Sequence, residues 1–359
     1  MNRRRLLNET YRKTATGNPV VVRSAARRYP GIGFPGFTTQ DGTPSPENPV
    51  DIVNAESVIL SVTGANICNA SDVVIGGLAG NDGTEFSTNN RVRTGFTQVF
   101  PGEYKCFNIP SEYILNNAFT YHGDKTLSRT ISARNPITVM PDESYYRASL
   151  RKQDSTDFTE LEIEDIRKNI QISVNYDVNI EPYKQPQTVT LTPPKPLTKW
   201  DRLIRRAGVW GWEYKSNTEV FDGSEDENWR LFPGQKNFYI ITESMLSGVK
   251  VPGYCDKMIV NITGNQPYLE LGRANDYIYA NVVDYISSED VTVWKNWLQS
   301  NPITVQYETE TSEFIPLSED EQQAMNALYT FSPTTVVQNS IDTEITLDYK
   351  TKRSLEVNV

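Results

Sequence analysis

The chain has 359 residues, enough for two or three domains with sizeable cores, and with one histidine it excludes histidine-based metal clusters. Only 38 % of it is hydrophobic, with 19 tyrosines and 21 prolines, a composition that favours β-structure and loops over helical bundles; no run of 18 apolar residues predicts a membrane span. The net charge of −10 is uneven: residues 1–30 hold eight basic groups against Glu9, a net +7, which leaves −17 on the rest.

Residues 1–33 read as a basic N-terminal docking arm, whose opening MNRRRLLNET lacks the apolar core of an export signal. Arg3, Arg4, Arg5, Arg12, Lys13, Arg23, Arg27 and Arg28 suit contact with an acidic neighbouring subunit; a solvated terminus is the plain alternative. With no recognised nucleic-acid fold, no aromatics beyond Tyr11 and Tyr29, and an acidic body, no nucleic acid is expected. Val20, Val21 and Val22 follow Asn18-Pro19 as a short β run, which needs a partner on its own body or on another chain. YPGIGFPGF, residues 29–37, should be irregular and partly buried. Residues 38–53, TTQDGTPSPENPVDIV, hold Gly42, Pro44, Pro46 and Pro49; the prolines forbid a helix and predict a rigid, extended connector.

A first antiparallel sandwich is expected over residues 34–182, with strands at 57–63, 72–75, 92–100, 137–140, 145–150 and 170–176. In the last of these, Ile170, Ile172, Val174 and Tyr176 alternate with Gln171, Ser173 and Asn175, predicting one buried and one wet face. Thr159-x-x-Glu162 is a capping box for a short helix ahead of Ile163 and Ile166. Residues 183–199 read as a stiff Pro-rich linker containing a strand-like piece at 188–192. A second sandwich follows over 200–350, with a tail at 351–359. Its strands are expected at 207–214, 219–221, 238–242, 258–262, 277–283 and 343–349, the last with Ile345, Leu347 and Tyr349 inward. A helix over 288–299 should start at Ser288, hold Glu289 and Asp290 in its first turn, and present Val291, Trp294 and Leu298 on one face. A second helix opens at Ser318 through the capping box Ser318-x-x-Glu321. The fold class is therefore all-β: two tandem antiparallel sandwiches of jelly-roll type, a few short helices and an extended arm. A helix followed by an Asn-led strand, at 169–176 and again at 301–307, suggests a duplication.

No catalytic residue and no metal site is assigned. His122 lies in a polar turn, and no G-x-S-x-G elbow exists. Gly31, Gly33 and Gly36 have nucleotide-loop spacing but follow no strand and precede no helix. Cys68, Cys106 and Cys255 are odd in number and in no CxxC arrangement, so buried free thiols are expected. Carboxylates remain. Asp222, Glu225 and Asp226, with Glu227, stand beside Trp229, which can stack on a sugar while they accept its hydroxyls; the plain reading is a solvated acidic loop. The same loop, and Asn81, Asp82 and Glu85, are the candidates for Ca²⁺, the sole cofactor considered. Trp200, Trp210, Trp212, Trp294 and Trp297 read either as a glycan platform or as core, with Trp294 core by helical spacing.

Several blocks also resemble a known family. ATGNPVVV at 15–22, TTQDGTPSPENPVDIV at 38–53, SVTGANI at 61–67, GVWGWEYKSNTEVFDGSEDENW at 208–229, NPITVQYETETSEFIPLSEDEQQAMNAL at 301–328 and the closing strand before Lys350 are similar, in order and spacing, to minor tail structural proteins of tailed phages and prophages. The resemblance spans about residues 15–349. It implies a non-enzymatic virion component of the baseplate, tail tip or fibre-attachment region, made in the bacterial host cytoplasm. Its partners would be other virion tail proteins and its own copies in a trimer or ring. The alternative is a receptor-binding protein that recognises host cell-surface polysaccharide through the sandwich loops.

Overall fold

The computed structural model describes residues 3–15, 20–23, 31–107, 109–132, 136–174, 181–232, 237–241, 251–261, 267–271, 277–282, 285–286 and 289–357. The fold is all-β and sandwich-like, built from sheets that are antiparallel except where Ile259–Val260 runs parallel to Tyr268–Leu271, with three short α-helices among the described residues. Among the described residues no helix is long and apolar enough to cross a membrane.

The contacts divide the chain into two units that interleave in sequence. One comprises Met1–Phe34, Ser57–Thr192 and Ser318–Val359; the other comprises Pro35–Glu56 and Pro193–Leu317. This differs from the linear boundaries expected at 34–182, 183–199 and 200–350, and the reason is strand pairing. In the first unit Val58–Thr63 lies between Gln187–Leu191, from the expected linker, and Thr334–Asn339, from the end of the expected second sandwich. Val20–Arg23 closes that four-stranded sheet on the far side of Thr334–Asn339.

The first unit's largest sheet runs Leu127–Ser132, Tyr113–Tyr121, Tyr145–Lys152, Arg91–Arg93, Val74–Ile75, with Thr97–Gln98 also on Tyr145–Lys152. A three-stranded sheet places Gly102–Phe107 between Ile137–Val139 and Gln171–Val174. Inward residues of these sheets, among them Val92, Tyr146, Leu150, Ile137, Cys106 and Ile172, share one core. Helix α1, Glu160–Asn169, adds Ile163 and Ile166 to it and begins at the expected Thr159–Glu162 capping box. The wet face expected for the strand after it is not there among the described residues; Asn175 and Tyr176 lie outside them. Gln171, Ile172, Ser173 and Val174 are all buried, because both faces of the strand are covered, and Gln171 Oε1 accepts the Glu181 N–H at 3.0 Å.

In the second unit one sheet runs Arg202–Arg206, Val209–Phe221, Ile303–Pro316, Gly253–Cys255, and another runs Arg230–Leu231, Asn237–Ile241, Tyr277–Asn281, Tyr268–Leu271, Ile259–Val260. Arg206 pairs with Val209 across Ala207 and Gly208, whose φ values of 49° and 90° are both positive, as a tight two-residue hairpin requires. The pieces expected at 207–214 and 219–221 are one strand, with a register shift between Tyr214 and Ser216. Helix α2, Val291–Ser300, is capped by Asp290, whose Oδ1 accepts the Thr292 N–H at 2.8 Å; it starts later than the expected Ser288 and buries Trp294 and Leu298 as expected. Phe238, Trp294, Trp297 and Tyr285 form one stacked ladder with centroids 5.0–5.8 Å apart. The Pro-rich stretch after residue 37 is a closed loop of this unit: Thr38 pairs with Asn54 and Thr39 with Val53, and Val50 N–H bonds Asp256 O at 2.8 Å. Helix α3, Glu319–Ala327, belongs to the first unit; its Ser318–Glu321 capping box forms as expected, and Glu321 Oε1 also accepts the Thr192 N–H at 2.8 Å.

Candidate functional site

The acidic loop is the first place to look for chemistry, and its own backbone consumes two of its four carboxylates. Glu227 Oε1 accepts the Asp222 and Gly223 N–H groups at 2.7 and 3.1 Å, and Asp222 Oδ1 accepts that of Ser224 at 3.0 Å. Bonds from Ser224 hold the Asp222 carboxyl below its ordinary range. Glu225 and Asp226 are exposed. Trp229 is not a sugar platform. It is 4 % exposed, its Nε1 donates to Glu227 Oε2 at 2.8 Å, and its ring meets Phe221 and Trp294 edge-on at 5.3 and 5.5 Å. The aromatic expected to stack on a ligand instead anchors the loop to the core.

The other tryptophans divide similarly. Trp210, Trp212 and Trp294 are buried; Trp200 and Trp297 are half-buried. The second Ca²⁺ candidate is occupied by its neighbours: Asp82 Oδ1 accepts from Thr84 N and Oγ1, and Glu85 pairs with Arg93 and Arg147 at 2.5 and 2.8 Å, cations that oppose a further one. Among the described residues no group of three or more metal-ligating side chains converges. His122 sits in an exposed turn with its Nδ1 3.0 Å from Asp142 O. The three cysteines are buried thiols, and burial pushes the Cys68 and Cys255 thiols up to about 12. The glycine spacing at 31–36 has a packing explanation: Gly31–Pro35 is a strand, and a Cβ on Gly36 would stand 2.4 Å from Thr198 O.

The basic residues of the arm lie on two strands. Arg3, Arg4, Arg5, Arg12 and Lys13 are on Arg3–Ala15, which pairs in unbroken antiparallel register with Ile345–Val357, so that Arg4 is opposite Glu356 and Arg12 opposite Asp348. The arm is thus not a free extended segment; its partner is the chain's own closing strand. Arg3–Ala15 is the end strand of its sheet, with Ile345–Val357 on one side. Arg23 is on Val20–Arg23, also an end strand. Arg27 and Arg28 lie outside the described residues.

Each unit also holds a polar cavity. In the second unit a cavity of about 430 Å³ is lined by Trp200, Asp201, Arg202, Glu213, Lys215 and Glu308, among others. Four of its charges pair with one another: Arg202 binds Glu213 at 2.5 Å, where Arg206 binds the same carboxylate, and Lys215 binds Glu308 at 2.6 Å. In the first unit a cavity of about 290 Å³ has Ser61, Thr63 and Gln338 in its floor and Asp72, Gln98 and Tyr183 at its rim. Sequence reading misses these residues. Ser61 and Thr63 alternate with Val58, Leu60 and Val62, which signals a polar face, but such a face reads as ordinary solvent contact until another segment roofs it.

Compared with protein-family models, curated proteins and solved structures, the chain gives no match.

Proposed function

We propose that the chain is a non-enzymatic structural component of a bacteriophage tail, in the baseplate, tail tip or fibre-attachment region, and that it assembles through its basic N-terminal strands. The observation that carries this reading is the thirteen-residue end strand Arg3–Ala15, which bears five of the eight basic residues and has a neighbour on one side in its sheet. An end strand offers a row of backbone donors and acceptors to another chain's strand. Here the same strand brings positive charge, while residues outside 1–30 carry −17, so a second copy or an acidic tail protein is a complementary partner. Identical copies joined this way close into a ring or trimer. The sequence resemblance to tail proteins supports the same reading.

The test replaces Arg3, Arg4, Arg5, Arg12 and Lys13 with serine in the phage. The purified variant should keep its β-type circular dichroism, and the protein should be lost from virions. Normal incorporation of the folded variant overturns the proposal.

A further inference from the structure

We infer that the 290 Å³ cavity of the first unit is a binding site for a neutral pyranose sugar. The inference goes beyond the assembly role and is independent of it. Its floor is a polar row built across a sheet. Ser61 is in register with both Thr188 and Gln338, on neighbouring strands, and Thr63 follows two residues along on the same face. Ser61, Thr63 and Gln338 are each at most 4 % exposed. Gln338 is fixed in place by donating Nε2 to Tyr104 Oη at 2.6 Å. Thr63 Oγ1 is buried with no hydrogen-bond partner among the described residues. Buried hydroxyls are rarely left so; Thr63 itself lines the cavity, whose polar floor suits a guest rich in hydroxyls.

The lining defines that guest. Among the described residues neither lysine nor arginine lines the cavity, and Asp72 is the one charged residue there, so they offer no counter-charge to a phosphate, sulfate or carboxylate. An apolar guest would strand the polar floor. A sugar suits both halves of the lining, with hydroxyls for the floor and the rim amides and an apolar C–H face for an aromatic ring. Tyr183 supplies the ring. It is half-buried at the rim, and its hydroxyl donates to Gln185 Oε1 at 3.0 Å. The Asp72 carboxylate is steadied by Asn69 Nδ2 at 3.1 Å and Ser71 Oγ at 3.3 Å. The volume lies at the small end of ligand pockets, roughly 300–1,000 Å³, and admits one sugar ring rather than a chain.

Saturation-transfer NMR on the full-length protein tests this with glucose, galactose, mannose and N-acetylglucosamine, their methyl glycosides, and glucose 6-phosphate. At least one neutral sugar should receive saturation, and glucose 6-phosphate should not compete with it. Binding of the methyl glycoside as well identifies a residue within a polysaccharide as the natural ligand; binding of the free sugar alone identifies a soluble one. Thr63→Val, which keeps shape and removes the orphan hydroxyl, and Tyr183→Ala should each weaken binding roughly tenfold or more while circular dichroism is unchanged. The inference is overturned if no neutral sugar binds at ~10 mM, if the phosphate is preferred, or if Thr63→Val binds as the parent does. None of these outcomes touches virion incorporation, so the two readings stand or fall separately.

Discussion

Glu143 shows how one side chain can organise a region that carries no motif. Its carboxylate has no exposed surface and receives Thr120 Oγ1 at 2.5 Å, Ser128 Oγ at 2.8 Å, Arg129 Nε at 2.7 Å and Met140 N at 2.8 Å, joining two strands and a turn. Burial alone would raise its pKa; the Arg129, Thr120, Met140 and Ser128 hydrogen bonds outweigh burial and hold it at about 2. An unfolded glutamate titrates near about 4.3. The folded value is the lower, so this carboxylate's stabilisation is present in full above pH ~5 and is lost as pH falls toward about 2. Glu143→Gln should therefore destabilise the protein by ~2–3 kcal/mol at pH 7 and by nearly nothing at pH 2, measured by urea denaturation across that range. A difference that does not shrink with acid would refute the ion-pair account. Trp229 makes the converse point. Sequence context sets it beside four acids and makes it look like a ligand contact, yet its indole closes the loop from the inside, a distinction made by the distant Phe221 and Trp294 rings and not by its neighbours in sequence.

At the scale of elements, local chemistry is what the chain shows openly. The capping boxes at Thr159 and Ser318 form as their sequences require, because all partners lie within four residues. Glycines divide by what surrounds them, and this is measurable. Gly208 has φ +90° and open space, with nothing within 4 Å of where an alanine Cβ would stand, whereas Gly223 has φ +75° and a Cβ there would stand 2.0 Å from Lys295 O on α2. Gly208→Ala should cost only the left-handed conformation, ~1–2 kcal/mol. Gly223→Ala must also push the acidic loop off α2, breaking the Lys295 Nζ bond to Glu227 O at 3.0 Å, and should cost clearly more, by ~2 kcal/mol. Equal shifts in the denaturation midpoint of the two variants would mean that the loop yields freely. Strands are less legible than helices. Tyr113–Tyr121 escapes a period-two reading because YILNNAFTY does not alternate and its pairing slips between Leu115 and Asn117. Gln171 and Ser173 mislead because alternation reports which residues are polar, not whether a second layer covers them.

For the whole molecule, the interleaving of the two units is not legible in composition, since proline-rich stretches mark turns and boundaries alike. Residues 183–199 look like a linker, yet Gln187–Leu191 is an integral strand beside Val58–Thr63. The same sheet takes Thr334–Asn339 from nearly three hundred residues away, and Arg3–Ala15 pairs with Ile345–Val357 from the opposite end of the chain. Such pairings must wait until the last strands are available, and their closure entropy is met only by the finished sheet. Truncation after Leu317 tests this directly. It removes the strand that lies between Val58–Thr63 and Val20–Arg23, together with α3 and the partner of Arg3–Ala15, but leaves Pro35–Glu56 and Pro193–Leu317 whole. Limited proteolysis should then digest residues 57–192 rapidly while a fragment within 193–317 persists. If 57–192 were instead a self-sufficient sandwich, as a linear division implies, it would survive the truncation; its survival would show that the returning strands decorate the first unit rather than complete it.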